Sequence, residues 1–378
     1  MQTNNTLIIG HSGWKIFSNI FNYINNTNNQ NSYIITDINN ALYDKTYQKL
    51  QNEGYKIDIL DFENIEKSTI SFNIMTYLNN DNLLQYVANS LMTSMPTDEF
   101  EIDCKKYFLL PILKIIKEKA DKYNISKDIT AIQTILQNNI LDIAAENNDL
   151  FSHYNNLSEK EKLKSRIVIS RRTDMFNIPE VDNIFSEASS LPSLNINNLI
   201  NSKYALFINI SHKTCLYNYL INIILKLISN ELNNKIISKS IEIFFDNACL
   251  FLNKDVFIDY INLNSPLIQN YFFYQSVLQF DKLIFTDKFI DNNIFNLFNN
   301  LVIYPSTSPS LENQIILNLL ENETYSYLDD KYYIKTPLDL KKSSYAYCKT
   351  SNKCIINPIP NIISNITILH NKTLKYKS

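Results

Sequence analysis

The first sixty residues alternate between short continuous apolar runs and stretches with helical spacing. Residues 7–9 (LII) read as a buried strand. Residues 15–25, which open with Ile16-Phe17-Ser18-Asn19-Ile20-Phe21, read as a helix. Residues 32–36 (SYIIT) form a second apolar run, followed by Asp37. Residues 41–53 return to helical spacing, and Gly54 stands where a helix end takes a left-handed residue. Residues 55–60 (YKIDIL) read as a third strand. Strand–helix–strand–helix–strand in this order predicts a parallel sheet with helices on its faces.

The texture then changes. From about residue 72 to residue 163 the apolar positions follow a helical period. Residues 103–122 carry Tyr107, Leu109, Leu110, Leu113, Ile115 and Ile116, and residues 129–143 repeat the pattern. Strands return at 204–210 (YALFINI), ahead of a helix over 216–232, and at 241–246 (IEIFFD), a buried run ending in an acid. Residues 271–274 (YFFY) precede Gln275, and 301–304 read as another strand. From about residue 331 the tail reads as short β segments with turns at 341–344 and 358–360. The expected fold is α/β with a mostly parallel sheet. Residues 1–71 and 164–378 form a discontinuous P-loop-type domain, and 72–163 form an inserted all-α domain.

Composition narrows this only slightly. With 45% hydrophobic residues and 12% aromatic ones the chain has ample material for a core. A net charge of −3 gives no basic field for tight nucleic-acid binding. Five scattered cysteines suit a reducing cytosol, and neither they nor the four histidines show metal-ligand spacing. No signal peptide is visible and no apolar run reaches the roughly 20 residues that span a bilayer, so a cytoplasmic chain without its own transmembrane segment is expected. Asn, Ile, Lys, Tyr and Phe are abundant, as an AT-rich coding sequence favours. Only three glycines occur. Glycine serves positions of positive φ or close backbone approach, so few such positions are expected.

Two of the three glycines fall in one loop, TLIIGHSGWKIF over residues 6–17. An apolar strand, a glycine loop, a lysine and a helix follow in the order of a phosphate-binding P-loop. Such a loop wraps a phosphate in backbone N–H groups, neutralises it with lysine and holds Mg²⁺ with a Ser or Thr hydroxyl. The candidate nucleotide-binding residues are Gly10, Ser12, Gly13, Trp14 and Lys15. The loop departs from the pattern. Trp14 stands directly before the lysine, and Ile16 and Phe17 stand where the hydroxyl belongs. Asp246 has the context of a metal-supporting strand-end acid, but Asn247 beside it cannot act as a base. Arg171-Arg172, the adjacent arginine pair, reads as a solvated turn rather than a phosphate contact.

The order of segments along nearly the whole chain resembles the type IV coupling protein family, the TraG/TraD class of conjugative DNA-transfer ATPases. SYIITDINNALYDKTYQKLQNEGYKIDILDF (32–62) resembles the family's strand, T-D-P-K-G-E-L, helix, N-G-Y-K-I and strand. IEKSTISFNIMTYLNND (65–81) resembles K-S-x-x-Y-N-P-F-x-Y-I, and DEFEIDCKKYFLLPILKII (98–116) resembles a segment of the all-α domain. NSKYALFINI resembles the strand K-T-A-L-F-V-I-I, and IEIFFDNA resembles the Walker B stretch L-I-D-E-x-A. YFFYQSVLQF resembles L-Q-x-x-x-Q, marking Gln275 and Gln279, and NNLVIYPSTSPS resembles N-x-D-T-x-I-F-L-G-G.

The resemblance implies a RecA-like motor domain interrupted by an all-α domain, assembled in the family as a hexamer around a DNA channel. It implies ATP with Mg²⁺ as cofactor and, through the all-α domain, a relaxase or other transfer substrate as partner. The family's N-terminal membrane helices have no counterpart here. Of D-P-K-G-E only Asp37 remains, with Asn39, Asn40 and Ala41 replacing Lys, Gly and Glu. The Walker B Glu is Asn247, and the family's Arg-Ser-Arg segment falls near Leu263-Asn264-Ser265 without arginine. Each such loss removes a few kcal/mol of transition-state stabilisation. Asp246, Asn247 and Gln275 are therefore vestigial catalytic positions, and no metal site is assigned. The expectation is a degenerate coupling-protein homologue, a pseudo-ATPase with a binding or scaffold role in type IV secretion or conjugation. The alternative is an active ATP-driven DNA or protein translocase.

Overall fold

The computed structural model describes residues 4–10, 20, 23–24, 31–92, 105–138, 140–146, 151–211, 217–274, 297–303, 325–327, 345–350 and 353–358. The strands are β1 (Asn4–Ile9), β2 (Ser32–Ile38), β3 (Lys56–Asp61), β4 (Tyr204–Ile210), β5 (Ile241–Phe245), β6 (Ile268–Tyr274), β7 (Asn300–Ile303), β8 (Tyr325–Tyr327), β9 (Tyr345–Thr350) and β10 (Lys353–Pro358). They form one sheet in the order β3-β4-β2-β5-β6-β1-β7-β9-β10-β8. The pairings from β4 through β7 are all parallel, whereas β9 runs antiparallel to both β7 and β10. The expected α/β fold with a mostly parallel sheet is present.

Parallel strands covered on both faces read as unbroken apolar runs. Every residue of β1, β4 and β5 is buried accordingly. Successive side chains point to opposite faces, so the adjacent pair Phe244-Phe245 serves both. On one face Phe244 stacks on its register partner Tyr271 at 4.7 Å between ring centroids. On the other Phe245 stacks on Phe272 at 4.8 Å. Tyr23 packs over the first pair and Tyr260, from helix Lys254–Ile261, over the second. Cross-strand aromatic pairs of this kind contribute beyond their buried area.

The chain divides into two compact units. The first comprises Met1–Asp58, Asn197–Cys215 and Leu232–Ser378, and the second Ile59–Ile196 and Leu216–Glu231. The second unit is largely helical, and residues 72–163 account for part of it. Its helices include Asp81–Met92, Leu110–Tyr123, Ala131–Gln137, Ile140–Glu146, Glu159–Thr173 and Pro179–Phe185. The single helical run read over 129–143 is broken at residue 138, where Asn138 leaves helical geometry. A π-helical turn, Lys105–Leu109, leads into helix Leu110–Tyr123, with Pro111 in the first turn, where its missing N–H costs nothing. Asp128, fully buried, accepts from Thr130 N and Oγ1 and from Glu187 N, tying a helix start to a later loop. Arg171-Arg172 lies in the last turn of helix Glu159–Thr173 and not in a free turn; cations there oppose the negative end of the helix dipole.

The scarcity of glycine does not mean a scarcity of left-handed backbone. Among the described residues Asn39, Asn40, Asn124 and Asn247 have φ between 51° and 58°, alongside Gly54 at 81°. Asparagine tolerates this region better than other residues with a Cβ. Gly54 closes helix Ala41–Asn52 as expected, donating to Gln51 O at 3.0 Å while Tyr55 N donates to Leu50 O at 3.0 Å.

Candidate functional site

In an open parallel sheet ligands bind beyond the carboxyl ends of the strands. Here the ends of β1, β2, β5 and β6 bring together Gly10, Asp37, Asp246 and Tyr274 within the first unit. Gly10 is buried and its N–H donates to Tyr274 O at 2.9 Å, continuing the β1–β6 ladder by one residue. Ser12, Gly13, Trp14, Lys15 and Gln275 lie outside the described residues.

Asp37 is fully buried in β2. Both its oxygens lie 3.0 Å from Leu42 N, and Oδ2 also accepts from Tyr43 N at 2.8 Å. The carboxylate thus caps the first turn of helix Ala41–Asn52. The sharp path from strand to helix is made by Asn39 and Asn40, both left-handed. It is pinned to β4 by Asn40 N donating to Asn209 Oδ1 at 3.0 Å. Burial raises the Asp37 carboxyl to about 7, against the lowering effect of the helix N–H groups.

Asp246 follows β5 directly and is half-buried. Its N–H donates to Thr36 Oγ1 at 3.0 Å, and the Thr36 hydroxyl is also 3.2 Å from Phe244 O, so one threonine clips β2 to β5 beneath the acid. Burial, then the neighbouring Asp37 carboxylate, raises the Asp246 carboxyl to about 7. Two like charges at adjacent strand ends disfavour joint ionisation. Among the described residues neither carboxylate takes part in an ion pair. Asn247, left-handed, starts the short turn Ala248–Leu250 and accepts from Cys249 Sγ through its side-chain oxygen at 3.7 Å. Burial pushes that thiol up to about 11, so it stays protonated at neutral pH.

These residues place two carboxylates at adjacent strand ends, with an amide, Asn247, directly after the second. Asn247 has no ionisable group, and both Asp37 oxygens are engaged by the helix start. Two structural residues of the site, and one at the opposite end of β5, carry weak sequence signals. Thr36 and Asn209 are polar interruptions in apolar strands. Glu242, fully buried at the start of β5, accepts from Tyr23 Oη at 2.5 Å and Asn31 Nδ2 at 2.8 Å, both through Oε1.

No protein-family model matches the sequence, and no curated protein matches it. Solved structures do match. The chain is similar to the bacterial conjugative coupling protein TrwB in its unbound monoclinic form, at 16% identity over 94% of this chain and 84% of that one, with a TM-score of 0.61. Against the trigonal form of TrwB with sulphate the identity is 17%, over 94% and 85%, with a TM-score of 0.63. It is also similar to VirB4 of Thermoanaerobacter pseudethanolicus, at 9% identity over 93% and 88%, with a TM-score of 0.51. TrwB has been solved with non-hydrolysable analogues of GTP and ATP. At these identities the likeness shows the fold alone: the chain has the α/β fold of TrwB and VirB4.

Proposed function

We propose that this chain is a degenerate coupling-protein homologue that keeps the motor fold and serves type IV secretion or conjugation as a binding or scaffold component. The observation that carries the reading is the Asp246-Asn247 pair. The strand-end acid stands where a Walker B acid would, with no base beside it and with its own carboxyl raised to about 7. Burial and the neighbouring Asp37 both disfavour its ionisation, and the Asn247 amide beside it cannot take a proton.

In this reading the first unit is a discontinuous RecA-like domain, and the helical insert, residues 72–163, presents the surface for a relaxase, another transfer substrate or a further component of the apparatus. Among the described residues no helix is long and apolar enough to cross a membrane. A cytoplasmic position, reaching the membrane through partners, follows from the proposed role. A hexamer, if formed, would serve assembly rather than DNA pumping.

Calorimetry with Mg²⁺-ATP and ADP on the purified chain, repeated with Lys15→Ala, tests the reading. The expected result is no hydrolysis, and any binding weak. Binding abolished by Lys15→Ala together with multiple-turnover hydrolysis would establish the translocase reading instead.

A further inference from the structure

Helix Glu159–Thr173 (EKEKLKSRIVISRRT) carries six Lys and Arg against two Glu, in a chain whose net charge is −3. Its inward face is set by Ser165, Ile169 and Thr173, spaced four apart and buried. The outward face carries Lys160, Leu163, Lys164, Ile167 and Arg171, all exposed. Leu163 is 59% exposed and Ile167, one turn on, is 42% exposed. Single exposed apolar side chains need no explanation, but here two are stacked on one helix within a basic rim. A third stands on the neighbouring helix. Ile143 is 53% exposed and follows Asp142, which is tied to this helix by Arg166 at 2.5 Å.

The helix is firmly built. The Ser158 side chain accepts from Glu161 N, and the Glu161 carboxylate accepts from Ser158 N at 2.9 Å and Oγ at 2.6 Å, a reciprocal cap at its start. Arg166 also donates to Tyr154 Oη at 2.9 Å, holding the helix to the core of its unit. A rigid helix offering apolar side chains between cations is pre-organised for a partner.

We infer that this stripe is a docking face for an acidic amphipathic helix of a partner protein. The inference rests on the proposed binding role but moves its surface to a helix of the second unit that starts within the insert, residues 72–163, and runs past its end. Charge complementarity selects the occupant. Carboxylates meet Lys160, Lys164 and Arg171 at the rim, while apolar side chains three and four residues apart cover Leu163 and Ile167. Duplex DNA would use the cations and leave both apolar side chains uncovered. A bilayer surface calls for a broader apolar face than this stripe offers.

The test is a displayed library of helical peptides selected on the full chain, with the enriched peptide measured by fluorescence anisotropy at low and high salt. Enrichment of Asp and Glu, with Leu, Ile or Phe at three- and four-residue spacing, is expected. Binding should weaken about tenfold in the Leu163→Ser/Ile167→Ser variant and about tenfold in Lys160→Glu/Lys164→Glu. A peptide with Lys in place of Glu should recover on the charge-reversed chain. All four substitutions are at exposed positions, so circular dichroism should be unchanged. Selection without acidic enrichment would overturn the inference, as would peptides that bind the variants as tightly as the parent chain. Tighter binding of a DNA duplex or of phosphatidylglycerol vesicles, unaffected by Leu163→Ser/Ile167→Ser, would overturn it too. Nucleotide turnover would sink the scaffold role while leaving this surface to stand or fall on the peptide measurements.

Discussion

Glu242→Gln should change the sign of its effect with pH. Glu242 is fully buried, and among the described residues its Oε2 has no hydrogen-bond partner while Oε1 has two. Burial raises its carboxyl to about 7 from an ordinary 4.5, more than the hydrogen bonds from Tyr23 and Asn31 lower it. Below pH 4.5 the folded and unfolded chains both carry the proton, and Glu242 adds no pH dependence. Between 4.5 and 7 only the folded state holds it, so stability falls as pH rises, and above 7 the loss is complete. At about 1.4 kcal/mol per pH unit, the loss amounts to roughly 3 kcal/mol. Glutamine keeps one acceptor for Tyr23 and Asn31 and carries no charge, but its buried amide nitrogen replaces an oxygen that already lacked a partner. That costs about 1–3 kcal/mol at every pH. The variant should therefore be less stable than the parent at pH 5 and equal or more stable at pH 8. The difference between the two mutational effects should be roughly 3 kcal/mol. Urea unfolding followed by the single tryptophan, Trp14, which lies between β1 and β2 in the sequence, measures it. A mutational effect that is the same at both pH values would refute the account of Glu242 as a proton-holding acid.

Asp37→Ala removes the acceptor for Leu42 N and Tyr43 N and should cost about 1–3 kcal/mol in urea unfolding, whereas Asp37→Asn, keeping one acceptor oxygen and relieving Asp246 of a like charge, should cost less. Equal losses would mean that the carboxylate does not act as a cap. Gly54→Ala meets no atom within 4 Å at the new Cβ, so only the left-handed backbone resists it, and the loss should be about 1 kcal/mol. A loss several times larger would mean that a contact, and not φ, fixes the glycine. Between pH 5 and 8 the Asp37 and Asp246 carboxyls, both raised, should add to the fall in stability with rising pH, and Asp246→Asn should flatten that slope.

The sheet was legible because its strands are buried on both faces. LII, SYIIT, YALFINI, IEIFF and YFFY stand out as apolar runs, and all five lie within strands of the parallel sheet. Boundaries were less so. The start of β6 at Ile268 is hidden by Gln269 and Asn270, whose polarity breaks the run. Asn270 is nonetheless buried, because its side-chain nitrogen donates to Asn5 Oδ1 at 2.9 Å and to Tyr260 O at 2.7 Å. Polar side chains held by distant partners carry no local signal. The same holds for Thr36, whose bonds reach residues 244 and 246 across the sheet.

The candidate site shows the limit of counting lost motif residues. By the resemblance, Asn40 replaces a glycine and reads as one more departure from the family pattern. In the fold Asn40 has φ 58°, the left-handed conformation that a glycine would supply. The turn from β2 into its helix is therefore kept, and Asp37 still reaches the helix N–H groups. Asn39, Asn124 and Asn247 hold the same conformation. An asparagine-rich chain with three glycines has handed part of glycine's backbone role to asparagine, so loss of glycine here is weak evidence of lost geometry. Asn247 differs in kind. Its backbone serves the turn after β5, but its amide cannot take a proton where the resemblance places glutamate. The proposed silent motor thus rests on side-chain chemistry at Asn247. It does not rest on the replacement of a glycine by Asn40, whose backbone keeps the left-handed turn.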